Sequence, residues 1–382
     1  MANKTVGLDA RLWGHPGIGR YIRELSRELL TEKSSLQFSF LGDPRLIRAF
    51  FADLHNRHSE PQRGEEPNDG ARFIEARSPI YSLAEQFEIC RKASCCDLLH
   101  VPHFNIPVFY KKKLVVTIHD LIYFHERKAS RSNFGKAYVS WLIKVIANKA
   151  QAVITVSEYT KNDLLNHFPA LSRDRIFVTH EAPSSLFKKI EDRALLQAAK
   201  ERYGLLKPFV IFVGTIKPHK NLPMLVKALQ TVRDKYGLDH ELVIVGRKDE
   251  RQKKLLGLLE KTDFVRLLGT LDDQTLVALY NAAEALVMPS FYEGFGLPAV
   301  EAMACGTPVI VSNRTSLPEV VGDAGALFDP DRVGALEELL YNILSNGELR
   351  NNMSSMGLEQ ARLFSWKKMA DQTRNVYEQV MR

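Results

Sequence analysis

What most constrains this chain is a rhythm. Short β-branched runs, each closed by glycine, proline or a polar residue, alternate with longer segments of helical periodicity, as in a parallel sheet wrapped by helices. The second half shows it most clearly, with strands expected at 209–213, 242–245, 265–268, 285–288 and 308–311. Helices are expected between and after them at 221–236, 250–261, 273–282, 298–304 and 332–345. The first half repeats the rhythm less cleanly, with strands at 5–8, 37–41, 114–118, 152–155 and 176–178 and helices at 19–30, 130–147 and 157–167. The fold class is therefore α/β, two doubly wound Rossmann-like domains. A length of 382 residues agrees, since it exceeds what one core usually serves. The expected divisions are a first domain over 1–188, a charged helix-prone connection over 189–207, a second domain over 208–364, and a helical tail over 365–382 returning to the first. The charged, Pro- and Gly-containing stretch His58–Gly70 reads as a surface loop.

Composition excludes several classes. Four cysteines, Cys90, Cys95, Cys96 and Cys305, form no CxxC pair, which argues against a zinc finger or a disulfide framework and for a reducing cytosol. No basic-then-apolar leader and no membrane-length apolar run occurs, so the expected place is the cytoplasm. The net charge of +7 favours anionic partners, while no nucleic-acid module is present, so nucleic acid is not expected. Neither a Gly-x-Ser-x-Gly elbow nor a Walker sequence occurs. Asp329-Pro-Asp331 has the letters of a metal motif but sits in a proline turn and reads as structural, so no metal is expected.

Ligands of open α/β sheets bind beyond the carboxyl ends of strands, and four such places stand out. The first is Pro289–Glu301, where a strand runs into a glycine loop and Pro298 is expected at the first position of a helix. Amides of Gly294, Phe295, Gly296 and Leu297 there suit an anion, and Glu293 and Glu301, with seven residues between them, suit sugar and ribose hydroxyls. The second is Gly214-Thr215 onward to Lys220, whose ammonium at a helix start opposes the dipole unless a diphosphate is bound. The third is His119, ending the run Val115–Ile118; alone it reads equally as a hydrogen-bonded core histidine, with Asp120 a candidate to orient its ring. The fourth is Gly14-His-Pro-Gly17-Ile-Gly19, a loop ahead of the first helix that would let backbone approach phosphates, or serve as plain turn glycines.

The block Glu293–Glu301, within Gly-Phe-Gly-Leu-Pro, resembles the E-x7-E signature of the retaining glycosyltransferases of family 4. Further matches are Asp9–Tyr21, Thr117-Ile-His-Asp120, Thr155–Glu158, Val213–Asn221 and Val321–Gly325, so the resemblance spans nearly the whole chain. It implies the GT-B fold, two Rossmann-like domains facing each other across a cleft, and no obligatory metal or other cofactor. It also implies a nucleotide-diphosphate sugar donor and a glycan or lipid-linked saccharide acceptor. Carried onto this sequence, Lys220 binds the diphosphate, Glu293 and His119 hold the sugar, Glu301 takes the ribose, and Leu268-Gly269 border the base. One departure is Thr215, where the family often has an arginine, which leaves Lys217 or His219 to supply a second charge. The Gly-Ile-Gly-Arg-Tyr opening and Gly-Thr look most like bacterial mannosyltransferases of polysaccharide synthesis, implying GDP-mannose. A UDP-hexose donor, a non-hydrolysing UDP-sugar epimerase of the same fold and a non-catalytic sugar-nucleotide binder are the alternatives.

Over 131–149, Phe134, Tyr138, Trp141, Leu142 and Val145 recur at helical spacing among Lys136, Lys144 and Lys149, downstream of Lys111-Lys-Lys113. Such a helix rests on an anionic membrane at the inner face of the cell, or turns its stripe to the core; the pattern alone allows both. The loop Pro102–Pro107 is a plausible acceptor wall.

Overall fold

The computed structural model describes residues 4–31, 35–58, 71–125 and 133–382. Apart from His58, the expected loop His58–Gly70 lies outside them, as do residues 131 and 132 of the basic helix.

The chain divides into two compact units, Met1–Glu181 with Trp366–Arg382, and Ala182–Ser365. The first unit holds β1 (Lys4–Asp9), β2 (Leu36–Gly42), β3 (Ala71–Glu75), β4 (Leu98–Val101), β5 (Lys113–Ile118), β6 (Ala152–Thr155) and β7 (Ile176–Val178). The second holds β8 (Phe209–Val213), β9 (Glu241–Val245), β10 (Val265–Gly269), β11 (Ala285–Met288), β12 (Val309–Ser312) and β13 (Gly325–Phe328). Their orders are β3-β2-β1-β4-β5-β6-β7 and β10-β9-β8-β11-β12-β13. Every pairing is parallel. Each sheet runs outward from its first strand and then reverses, the doubly wound order with a topological switch between β1 and β4 in one unit and β8 and β11 in the other.

The strands at the centre of the second sheet, β8 and β11, are apolar along their whole length because helices cover both faces. Phe209, Val210, Ile211 and Phe212 are fully buried, as are Leu286, Val287, Ile310 and Val311. The helix Leu222–Tyr236 shows why the covering helices form where they do. Leu222, Leu225, Val226, Leu229 and Val232 line its buried face, Pro223 sits in its first turn, and Gly237 at φ +70° closes it by donating to the Arg233 carbonyl. In the first unit Ser157 caps the helix Glu158–His167, its Oγ accepting from the Thr160 amide at 3.0 Å.

Where sequence and structure differ, the reasons are local. The strands absent from the sequence reading are β3 and β13, partly exposed edges, and β4, a four-residue strand interrupted by His100. The division falls between Glu181 and Ala182, whereas the first domain was drawn to 188. Residues 189–207, expected as a connection, carry a helix, Arg193–Arg202, that packs on the helix Asp273–Ala282 within the second unit. The tail helix Trp366–Met381 belongs to the first unit and packs on the helix Ile18–Thr31.

The basic helix, Asn133–Lys149, turns Val139, Leu142, Ile143 and Ile146 into the core of the first unit. Of the two readings of the stripe, the 3.6-residue period assigns these four positions to the core and leaves Tyr138 and Trp141 outside.

A donor-type site at the switch point of the second sheet

The crevice of an α/β sheet opens beyond the carboxyl ends of the two strands where the order reverses, here β8 and β11. Lys220 follows β8 and Glu293 follows β11, and the fold brings them together. The Lys220 ammonium donates to both oxygens of Glu293, at 2.6 and 2.7 Å. Their side chains are 16% and 11% exposed, so the pair is largely withdrawn from water yet reachable.

Both partners are held from behind. Asn221 adopts the left-handed conformation at φ +54°, which turns the chain from the short helical turn Pro218–Lys220 into the helix Leu222–Tyr236. Its side-chain amide donates to the Pro330 carbonyl at 3.1 Å. Ser290 Oγ donates to Glu293 Oε1 at 2.7 Å, and the Glu293 amide donates to Thr315 Oγ1 at 3.1 Å. Thr315 has φ +58°, a strained value for a β-branched residue and one often found at functional sites. Burial alone would raise the Glu293 pKa; the Lys220 charge, the hydrogen bonds from Lys220 and Ser290, and nearby His219 outweigh it and hold the carboxyl below its ordinary value. The His219 charge thus acts on Glu293, while the Lys217 charge acts on Asp249.

The glycine loop beside this pair leads into the helix Leu297–Ala304, with Gly296 as its N-cap at φ +112°. This conformation favours glycine, and a Cβ there would also press on Leu317, 2.8 Å from its Cδ2. Leu297 opens the helix and Pro298 is second, one place later than expected. Ser316 Oγ fixes the loop by donating to the carbonyls of Glu293 and Phe295 at 3.0 and 2.8 Å. Glu301 is buried, its Oε2 accepting from the Tyr280 hydroxyl at 3.2 Å. Gly214 follows β8 at φ +154°, and Gly269 ends β10 at φ +71°, after Leu268. A Cβ on Gly246 would lie 2.0 Å from the Gly214 carbonyl oxygen, which shows how tightly these strand ends meet. Thr215 follows, half-buried. The Asp329-Pro-Asp331 turn is bridged by Arg314, at 3.1 and 2.9 Å from the two carboxylates.

The first unit carries the remaining expected residues. His119 follows β5, its Nδ1 lies 3.3 Å from Glu181 Oε1, and its ring stands edge-on to Tyr21 at 4.8 Å. Its Nε2 is buried without a hydrogen-bond partner among the described atoms. Glu181, and not Asp120, orients the ring; Asp120 Oδ1 accepts from the Ile122 amide at 3.1 Å and starts the short helix Ile122–His125. The reason is that neighbouring residues of an extended chain project to opposite sides. Gly19 lies inside the first helix, not ahead of it, and a Cβ there would lie 2.3 Å from the Trp13 carbonyl oxygen; Gly17 faces open space.

Sequence reading missed two constellations. Buried Arg11 donates to Asp9 at 2.6 Å and to Glu85 at 2.8 Å, while Asn105 donates to Glu85 at 2.6 Å, joining the loops after β1 and β4. Behind His119, buried His100 lies 2.8 Å from Thr117 Oγ1 and 2.6 Å from the hydroxyl of Tyr377 on the tail helix. Thr117 in turn is 3.1 Å from the hydroxyl of Tyr21. Thr117 is a lone polar residue in the apolar run of β5, and its partners lie far apart in the chain.

Comparison with known proteins places the chain in a family. A profile described as "Glycosyltransferase Family 4" matches residues 16–182, and one described as "Glycosyl transferases group 1" matches residues 197–360. The O-antigen chain mannosyltransferase B of Escherichia coli is 33% identical, with 74% of each chain covered. The chain is a family 4 glycosyltransferase. The family 4 relative MMP alpha-(1->4)-mannosyltransferase of Mycolicibacterium hassiacum is 32% identical over 96% of this chain and 95% of its own. Among solved structures, sucrose-phosphate synthase from Thermosynechococcus elongatus superposes with a TM-score of 0.75 at 22% identity, covering 98% of each chain. WaaG, a glycosyltransferase of lipopolysaccharide biosynthesis, gives 0.71 at 14%, covering 97% of this chain and 99% of its own. At such identities the structures carry the fold alone, which is GT-B. This family 4 enzyme is a hexosyltransferase working on a nucleotide-sugar donor and a glycan acceptor.

Proposed function

We propose that the enzyme transfers mannose from GDP-mannose, with retention, to a hydroxyl of a glycan or lipid-linked saccharide. The observation that carries this reading is the Lys220–Glu293 pair at the switch point of the second sheet. It keeps a cation neutralised until an anion arrives. On donor binding the ammonium turns to the diphosphate, joined by the amides of Gly296 and Leu297 at the helix start. Glu293, relieved of its partner, accepts from a sugar hydroxyl, and Tyr280 steadies Glu301 for the ribose. His119 positions the sugar. The acceptor oxygen then bonds to the anomeric carbon as the bond to the phosphate breaks, and the acceptor proton passes to the leaving nucleoside diphosphate. No protein nucleophile is required. Mannose as the sugar is supported by the relatives that bear mannosyltransferase names.

The experiment is a panel of nucleotide sugars with and without mannose-terminated acceptors. Acceptor-dependent release of GDP from GDP-mannose, with an α-anomeric product by NMR, is the expected result. Release from UDP-hexoses alone replaces the donor, an altered sugar still on its nucleotide replaces the reaction with epimerisation, and binding without turnover removes catalysis.

We also infer that the first unit rests on an anionic membrane. Among the described residues no helix is long and apolar enough to cross one. The support is a set of exposed apolar side chains, Leu83, Phe87, Phe109, Tyr81, Tyr138 and Trp141, with exposed Lys144 and Lys111. Lys112 and Lys113 are not part of it, because their ammoniums bind the main-chain carbonyls of Ser94, Cys96 and Val380. Sedimentation with phosphatidylglycerol vesicles but not phosphatidylcholine vesicles, reduced in Phe87→Ser/Trp141→Ser, is the expected outcome; equal binding to both sinks the inference.

A further inference from the structure

Beyond the donor-type site, three side chains of the first unit converge. His125 ends the short helix Ile122–His125, while Asp163 and His167 stand one turn apart on the helix Glu158–His167. We propose that His125, Asp163 and His167 bind a divalent transition ion of the zinc class, which ties the segment following β5 to that helix.

The geometry points to an ion. One ligand atom from each residue, a nitrogen of each histidine and a carboxylate oxygen, lies within 4.8 Å of the others. His125 Nε2 is 2.8 Å from Asp163 Oδ2, and His167 Nδ1 is 3.2 Å from Asp163 Oδ1. Ligands of a tetrahedral zinc ion, each about 2.0–2.1 Å from the metal, stand roughly 3.3 Å apart, so small side-chain rotations suffice. Burial is graded as such a site needs. Asp163 is 6% exposed and fixed, and each histidine side chain is 32% exposed, which admits the ion and a water as fourth ligand. The two imidazole planes stand at 78° with centroids 5.3 Å apart, and the His167 ring packs 5.2 Å from Phe124.

Two imidazoles and one carboxylate choose the metal. Magnesium and calcium prefer oxygen alone, whereas zinc, cobalt and nickel accept this set. In the ion-free protein Asp163 accepts from the histidines. On binding, each imidazole is neutral, with the lone pair of His125 Nε2 and of His167 Nδ1 on the metal and the proton on the opposite nitrogen.

The position gives the site a purpose. Thr160, one turn before Asp163, lies with its Oγ1 3.4 Å from the His119 carbonyl oxygen. The same helix therefore holds the segment from His119 to His125 at both ends, and an ion would lock the second end. This role is structural or regulatory, and the transfer chemistry at Lys220 and Glu293 does not need it.

The test uses the full-length, tag-free protein, stripped with a chelator and titrated with Co2+. One equivalent is expected to give the intense visible absorption of a tetrahedral nitrogen-ligated site and to be displaced by Zn2+. His125→Ala, His167→Ala and Asp163→Asn should each weaken binding at least about tenfold. Zn2+ should raise the melting temperature of the wild type, and should not raise that of His125→Ala/His167→Ala, each protein being compared with itself in chelator. Absence of the Co2+ spectrum in the wild type, or binding that survives in the double variant, overturns the proposal without touching the assignment of the donor site.

Discussion

The two Rossmann units solve the same problem, holding polar groups at the carboxyl ends of parallel strands, in opposite ways. The second unit stores charge: Lys220 and Glu293 neutralise each other inside the crevice that the sheet provides. The first unit stores order: His119 is placed by Glu181 and Tyr21, with the chain Tyr21, Thr117, His100, Tyr377 behind it. A paired cation and carboxylate form a site that a polyanion can rearrange. A fully buried hydrogen-bond network forms one that rearranges little. The difference supports the proposed division, with the diphosphate at the second unit and the rigid positioning surface on the first.

Removing the stored charge should do the most damage. Lys220→Ala is expected to lower kcat by at least about 100- to 1,000-fold, as loss of an electrostatic stabiliser of a leaving group does. It also leaves Glu293 poorly solvated and unpaired, so stability should fall by about 3 kcal/mol. Lys220→Met/Glu293→Gln should recover most of that stability and none of the activity, measured by urea unfolding and donor turnover. Recovered turnover would mean that the pair is structural. In the first unit His119→Ala should cost a smaller factor, about 100-fold, because it misplaces the sugar and leaves the charge term intact. A loss confined to KM for the acceptor would move His119 out of the donor site.

The same contrast explains what the sequence disclosed. Charge stored next to a strand end is local: Lys220 follows one apolar run and Glu293 another, and each is flanked by glycine or proline that marks a loop. The central strands of the second sheet were the most legible, because burial on two faces leaves runs without polar interruption. Order stored in a network is not local. Tyr377 lies 277 positions from His100, and no periodicity joins them. Glu181 lies past the end of β7, and the adjacent Asp120 was the nearer candidate by sequence alone. The edge strands β3 and β13 stayed hidden because half-exposed edges carry a mixed pattern, and β4 because His100 breaks it. The stripe over 131–149 left two readings open for a related reason, since a core-facing stripe and a lipid-facing one share the same period.

Cutting the network should cost stability before it costs activity. Tyr377→Phe removes the hydroxyl partner of His100 Nδ1 and leaves a buried ring nitrogen unsatisfied, so a loss of about 1–3 kcal/mol is expected in urea unfolding. If Tyr377→Phe matches the wild type in stability, the tail helix contributes packing alone.

The smallest effect separates the units along the pH axis. Burial, reinforced by the charge of His119, holds the His100 pKa down to about 3. The unfolded chain takes up this proton near pH 6.5 and the folded first unit does not, so stability is fully present above pH 6.5 and is lost as the pH falls below it. Between pH 7.5 and 5.5 the loss from this one group is about 1.4 kcal/mol. Glu293 behaves otherwise: its pKa is lowered, so its contribution is present at neutral pH and is lost only as the pH falls below the ordinary glutamate value of about 4.3. Hydrogen exchange should therefore show the first sheet losing protection by pH 5.5 while the second holds. In His100→Gln, with no proton to take up, that difference between the sheets should shrink by the same amount. Equal softening of both sheets in the wild type would place the acid-sensitive group elsewhere and remove the distinction between stored order and stored charge.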